Sequence, residues 1–180
     1  MKKAFEHYFS KLNNYAEEKF GTKPTVTFMD ELNKDLLVSA PDEDGEVEWQ
    51  PKLQMGNIIW DEVENEIGFT ICQELKEYYS SYSFLMLYGK FGTSYLNFYP
   101  IDASEPVANI IERAFYDAQE VFPCSQMFLI GNASVNEDDN FFIYYDNKTG
   151  KLFCYDTENK REVLLSYSIA KTIDMMEARM

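Results

Sequence analysis

The stretch from Gln126 to Thr157 constrains this chain more than any other. Met127-Phe128-Leu129-Ile130 is an apolar run of strand length, Phe141 to Tyr145 is wholly aromatic or β-branched, and Leu152 to Tyr155 is a third run. Between the last two lies Asp146-Asn147-Lys148-Thr149-Gly150. A short connection with Asn early and Gly last closes a hairpin, because Gly accepts the positive φ of the tight turn. The segment therefore reads as strand, polar loop, strand, turn, strand. It fixes an antiparallel sheet that the rest of the chain must cover.

The covering elements follow from periodicity. Phe5, Tyr8, Phe9, Leu12, Tyr15 and Ala16 recur at helical spacing, so a helix is predicted over 2–20, stopped by Gly21 with Pro24 beyond. The only histidine, His7, falls on its polar face and reads as a solvated surface residue. Thr25 to Lys34 is ambiguous, with a helical turn near Met29 to Leu32. Leu36-Leu37-Val38 reads as a strand, 41–45 as a turn ending in Asp-Gly, and 46–49 as a returning strand. In that strand Val47 and Trp49 face inward, while Glu46, Glu48 and Gln50 face out.

A connection over 52–59 precedes Asp61-Glu62-Val63-Glu64-Asn65-Glu66, whose acids suit a helix N-terminus. Ile67, Ile71, Leu75, Tyr78 and Tyr82 continue one face of that helix, weakened at Gly68. Phe84 to Tyr88 and Tyr95 to Tyr99 read as strands about a Gly89–Gly92 turn. Ser104-Glu105-Pro106 is a helix entry with a capping hydroxyl, and the stripe from Val107 to Val121 ends at Pro123. Glu162 to Leu165 either adds a strand or merges into a last helix carrying Ile169, Ile173 and Met176. Hairpins with helices between them and at both ends define an α+β fold: one domain over 1–180, with a mainly antiparallel central sheet flanked by helices.

At 180 residues the chain can bury about 70% of its unfolded surface and needs no metal or disulfide for a core. Cys72, Cys124 and Cys154 are odd in number and far apart, which fits a reduced, cytosolic protein with small core thiols. Charged residues interrupt any signal-peptide core after Lys2 and Lys3, and no apolar run is long enough to span a membrane. The acceptor patterns Asn132-Ala133-Ser134 and Asn147-Lys148-Thr149 have no meaning without secretion.

Thirty-one acids against sixteen bases give a net charge of −15. Such a field repels phosphate backbones and favours a basic protein partner, although acidity also serves solubility alone. No G-x-S-x-G elbow, catalytic histidine pair or phosphate-cradling loop occurs, so no catalytic residues, cofactor or nucleic-acid partner are expected. Asp42-Glu43-Asp44-Gly45 looks like the start of a calcium loop, but its Gly comes too early and the twelfth place is Leu53, so no metal site is expected. Asn136-Glu137-Asp138-Asp139-Asn140 likewise reads as a solvated loop.

What remains is a binding surface. Asp42, Glu43, Asp44, Glu46 and Glu48 form one acidic segment, and Asp61, Glu62, Glu64 and Glu66 form another. Packed side by side they would make one negative patch, closed by Trp49, Gln50 and Pro51. Trp49 either rims the patch as an anchor for a basic partner or belongs to the core.

Trp49-Gln50-Pro51 closing a strand, strands at 128–130 and 141–145, the Asn147-to-Gly150 turn followed by Lys151, and a terminal helix together resemble the Syd family of the SUKH superfamily. The order of elements matches over most of the chain. In one place it departs: the Gly-His expected before the third main strand is missing from Asn109-Ile110-Ile111-Glu112-Arg113, which leaves the partner's identity open. The resemblance implies a non-enzymatic α+β protein, cytoplasmic and peripheral at the inner face of the membrane. It also implies an acidic concave surface docking on basic cytoplasmic loops of the translocon subunit SecY. Other superfamily members bind and neutralise toxins, many of them nucleases. Trp-Gln-Pro places the SecY-binding role first, toxin immunity second, and an enzyme using surface carboxylates third.

Overall fold

A computed structural model describes residues 1–102 and 104–180. The central hairpin forms as the Asn147 and Gly150 turn requires. β8 (Asp138–Asp146) and β9 (Leu152–Asp156) pair in register from Phe141 opposite Asp156 to Tyr145 opposite Leu152. Gly150 takes φ +72°, and its N–H donates to the Asp146 carbonyl at 2.8 Å.

The strand before it is longer than the sequence suggests. β7 (Met127–Val135) continues through Gly131-Asn132-Ala133-Ser134 and turns only at Asn136 and Glu137, both with positive φ. Most of the expected polar loop is thus strand, because its polar side chains alternate with Ala133 and Val135, which are buried.

Seven antiparallel strands make the sheet. β5 (Leu87–Phe91), β6 (Ser94–Phe98), β7, β8, β9 and β10 (Arg161–Ser166) follow each other as a meander. The C-terminal β11 (Glu177–Ala178) returns to pair with β5 at the far edge. Gly89 sits within β5, opposite Leu96, and not in the turn predicted for it. A Cβ there would strike the Glu177 carbonyl, so this glycine exists to admit β11 and the hairpin closes at Gly92 instead.

Helices bury the inner face. α1 (Lys2–Phe20) lays Phe5, Tyr8, Phe9, Leu12 and Ala16 into the core. The Tyr8 hydroxyl donates to the Tyr88 carbonyl and accepts its N–H, both at 2.8 Å, and so occupies the open edge of β5 beyond β11. The helix expected over 61–82 is two. α2 (Trp60–Ile67) ends at Gly68 with φ +84°, and α3 (Gln73–Ser81) begins after Cys72. Gly68 stops the first helix because its left-handed conformation turns the chain outward.

α4 (Val107–Gln119) enters at Pro106 without a side-chain cap, since the Ser104 hydroxyl donates to Asp102 instead. The last alternative resolves as both elements: β10 is a strand, and α5 (Ile169–Met175) follows it, capped by Ser168. On the other face of β8 and β9, Tyr144 and Phe153 pack with Ala118 and Phe122 as a second, smaller cluster.

The chain before β5 forms two small two-stranded sheets. β1 (Thr25–Thr27) pairs with β2 (Glu46–Glu48), while β3 (Lys52–Leu53) pairs with β4 (Tyr82–Ser83). The strand expected at 36–38 is a 3-10 turn over Lys34–Leu36, joined to Trp49 through one bridge at Leu37. The fold is α+β, with a mainly antiparallel sheet and five α-helices among the described residues.

The β9–β10 turn is closed by one carboxylate. Asp156 has no exposure and accepts hydrogen bonds from the Glu158 and Asn159 N–H groups, the Asn159 amide and the Arg161 guanidinium. The Asn159 donors and then Arg161 hold this carboxyl far below the usual carboxylate range. A depressed carboxylate contributes stability that is present above the unfolded-state value of about 3.9 and is lost as pH falls toward the folded value. Thermal melts of Asp156→Asn should show a lower Tm at neutral pH and a flatter loss below about pH 4 than the parent chain. Equal acid sensitivity in both would remove Asp156 from this role.

Candidate binding surface

The first acidic segment forms as an exposed turn on a paired strand. Asp42 builds it: its Oδ1 accepts the N–H groups of Asp44 and Glu46, both at 2.9 Å. This carboxylate closes the turn. Glu43 and Asp44 are exposed at the tip. Glu46 and Glu48 project from β2 away from buried Val47, as alternation predicts. Glu46 accepts the Thr27 hydroxyl at 2.8 Å, and Glu48 accepts the Lys23 N–H at 3.3 Å.

Trp49 belongs to the core. It has no exposure and meets Phe9 edge-on at a centroid distance of 6.4 Å. Placing it on the rim of a binding patch is thus corrected: alternation turns it inward with Val47, onto Phe9 of α1. Gln50 is exposed, while half-buried Pro51 shares a shallow depression with Phe9 and Tyr82.

The second segment divides. Asp61 and Glu62 lie exposed in the first turn of α2, where the helix dipole favours them. Glu64 is a brace, not a contact residue. Its carboxylate holds Lys76 at 2.6 Å and accepts the Ile71 N–H at 2.8 Å, tying α2 to α3 across the Gly68 break. The Lys76 hydrogen bond lowers its pKa. Glu66 accepts the Tyr116 hydroxyl at 3.0 Å and so joins α2 to α4. The two segments do not pack side by side: β2 lies on β1, and α2 lies on α4.

Sequence reasoning did not find a cleft away from both acidic segments. A cleft of about 440 Å³ opens between α3, α4 and the chain leaving β6. Tyr78 and Tyr79 form one wall at a centroid distance of 5.0 Å, and Tyr99 lies opposite among apolar Ile110, Ala114 and Leu129. Asp102, Glu105, Arg113 and Asp117 supply the charge. Arg113 donates to Glu105 at 2.6 Å. Burial raises the Tyr78 and Tyr79 phenols, which are neutral at ordinary pH. The Tyr78 hydroxyl is buried and has no hydrogen-bond partner. The sequence signals were faint: a Tyr-Tyr pair within an apolar stripe, and Arg113 and Asp117 four residues apart on one helix.

The thiols and the histidine have ordinary surroundings. Cys154 is buried, which pushes its pKa up to about 12, and Cys72 is half-buried. Cys124 is exposed at a positive φ, which corrects its assignment to the core. His7 is exposed and faces Asp174 at 2.7 Å. Among the described residues, no three His, Cys, Asp or Glu side chains converge as metal ligands, and no helix is long and apolar enough to cross a membrane. No known protein-family model matches the chain, and no curated protein matches it.

Truncating a fully buried Trp removes transfer energy and leaves a cavity, so Trp49→Ala should cost about 3–5 kcal/mol. Denaturant unfolding measures this directly. A loss below about 1 kcal/mol, in the range of exposed positions, would return Trp49 to the surface.

Proposed function

We propose that this chain is a non-catalytic, Syd-like binding module that docks on a basic protein surface, the cytoplasmic loops of SecY. It would act in the cytoplasm, peripheral to the membrane. One observation carries the reading: Glu43, Asp44, Glu46, Glu48, Asp61 and Glu62 form no ion pair with any cation among the described residues. Some acids elsewhere are matched, as Glu105 is by Arg113 and Glu162 by Lys151, and others, Glu17 and Glu18 among them, are unpaired but lie outside these two segments. Unmatched carboxylates on a chain of net charge −15 create a field that steers cations, with on-rates raised about 10–10³-fold. The Trp49-Gln50-Pro51 sequence supports a Syd-like role through strand-closing geometry, with Trp49 anchoring the strand and Gln50 at the surface.

Binding of peptides from the basic SecY loops tests this. Rim charges are screened beyond a Debye length of about 8 Å at 0.15 M salt, so affinity should fall with salt, mainly through the on-rate. Charge reversal of Glu43, Asp44, Asp61 and Glu62 to Lys should abolish binding. All four are exposed and brace no other element. The same reversal at exposed Glu17, Glu18, Glu120 and Glu158 should weaken it far less, at identical net charge. Equal losses would mean a diffuse field, and salt-independent binding would contradict the mechanism. Capture of a basic nuclease toxin in preference to SecY loops would assign the module to toxin immunity.

A further inference from the structure

We propose that the cleft between α3 and α4 is a receptor for a primary ammonium on an alkyl stem, the side chain of a lysine in the basic partner. The proposal rests on the binding-module reading above and assigns it a specific pocket.

Four observations support it. The cleft, at about 440 Å³, has the size of a small-molecule site and exceeds what one side chain needs. Its only cation among the described lining residues, Arg113, is engaged by Glu105 at 2.6 Å, and with Asp102 and Asp117 also present the lining carries three acids against one base. Tyr78 is 1% exposed, yet its hydroxyl has no partner. A buried hydroxyl left unpaired is costly, and a ligand donor would relieve that cost. Finally, the apolar side chains Ile110, Ala114 and Leu129 lie beside these polar groups and would cover a methylene stem.

An ammonium fits this set better than an anion. It has three donors and no acceptor, and the lining offers phenol and carboxylate oxygens together with tyrosine faces. A carboxylate ligand could reach the remaining N–H groups of Arg113 only while facing Asp102, Glu105 and Asp117. A guanidinium prefers one fork-shaped acceptor, whereas Asp102 and Asp117 lie on separate elements.

The pocket continues toward a polypeptide. A second concavity of about 520 Å³ shares Ser104 and Glu105 with the first. It contains Gln54, whose Oε1 accepts the Ser83 hydroxyl at 2.9 Å and whose Nε2 is buried without a partner. A peptide carbonyl beside the lysine is the matching acceptor.

The test is an NMR titration of the whole chain with n-butylammonium and with N-acetyl-Gly-Lys-Gly-amide, and with butyrate and the acetyl-lysine tripeptide as controls. Both amines should saturate shifts at Ile110 and Leu129, and both controls should fail. Loss of one charge-assisted contact in Asp117→Asn should weaken both amines by about tenfold. Tyr78→Phe should weaken both without lowering the Tm, since it deletes an unpaired hydroxyl. Gln54→Met should weaken only the tripeptide, which separates a peptide-borne lysine from a free amine. Butyrate binding as well as butylammonium, or amine binding indifferent to both Tyr78→Phe and Asp117→Asn, would overturn the proposal. A lower Tm for Tyr78→Phe with unchanged amine binding would do the same and make Tyr78 structural. The titration needs no protein partner, so the two readings fail separately. Amine binding without any basic-peptide binding sinks the module alone, and the reverse sinks the cleft alone.

Discussion

One buried amide joins the halves of this protein. Asn147, in the turn of the central hairpin, is 8% exposed. Its Oδ1 accepts the Cys72 N–H at 2.7 Å, and its Nδ2 donates to the Thr70 carbonyl at 3.0 Å and to Gln126 Oε1 at 3.1 Å. The chain between α2 and α3 has no secondary structure of its own to satisfy those backbone groups, so the turn supplies the partners. Glu74 continues the linkage one helical step later. It accepts the Tyr145 hydroxyl from β8, the Ser168 hydroxyl and the Ala170 N–H from the start of α5. Hairpin, α3 and α5 thus meet in one satisfied polar cluster within an apolar core, where each lost partner would leave another group unpaired.

That linkage shows what a sequence displays and what it conceals. The hairpin was legible because its signals are local: β-branched and aromatic runs on either side of an Asn-to-Gly turn. The α1 stripe from Phe5 to Ala16 was legible for the same reason. The joint at Gly68 was legible only as a weak point in one helix. Ile67, Ile71, Leu75 and Tyr78 keep helical spacing across it, and the break depends on Glu64 reaching Lys76 and on Asn147 reaching Cys72 from 75 residues away. Gly89 misled similarly, since only the arrival of β11 explains it. The acidic segments were visible as composition, but their roles were not. Asp42, Glu64 and Glu66 are committed within the fold, whereas Glu43, Asp44, Asp61 and Glu62 remain free. Trp49 followed the alternation of its strand into the core.

Internal commitment of charge separates the acids that build the architecture from those left free. Where a carboxylate closes a turn, braces a helix pair or holds an arginine, it has lost the freedom to meet a partner and cannot be reversed without strain. Where it lacks a cation, its field extends into solvent. The same division applies in the cleft. Glu105 engages Arg113 and Asp102 holds Ser104, which leaves a net negative lining and the unpaired Tyr78 hydroxyl. Because the polar cluster around Asn147 and Glu74 fixes α3 against the sheet, the Tyr78 and Tyr79 wall is formed before any ligand arrives, which reduces the ordering needed on binding.

The central claim is that free acids and a preformed cleft, not total charge, define where a basic partner meets this protein. Backbone amide shift mapping with a short lysine-rich peptide tests it most directly. Perturbations should concentrate at 43–48, at 61–62 and around the cleft at 78–79 and 113–117, leaving α1 and the β10 edge unchanged. Shifts spread evenly over every acidic position, including Glu17, Glu18 and Glu158, would contradict it.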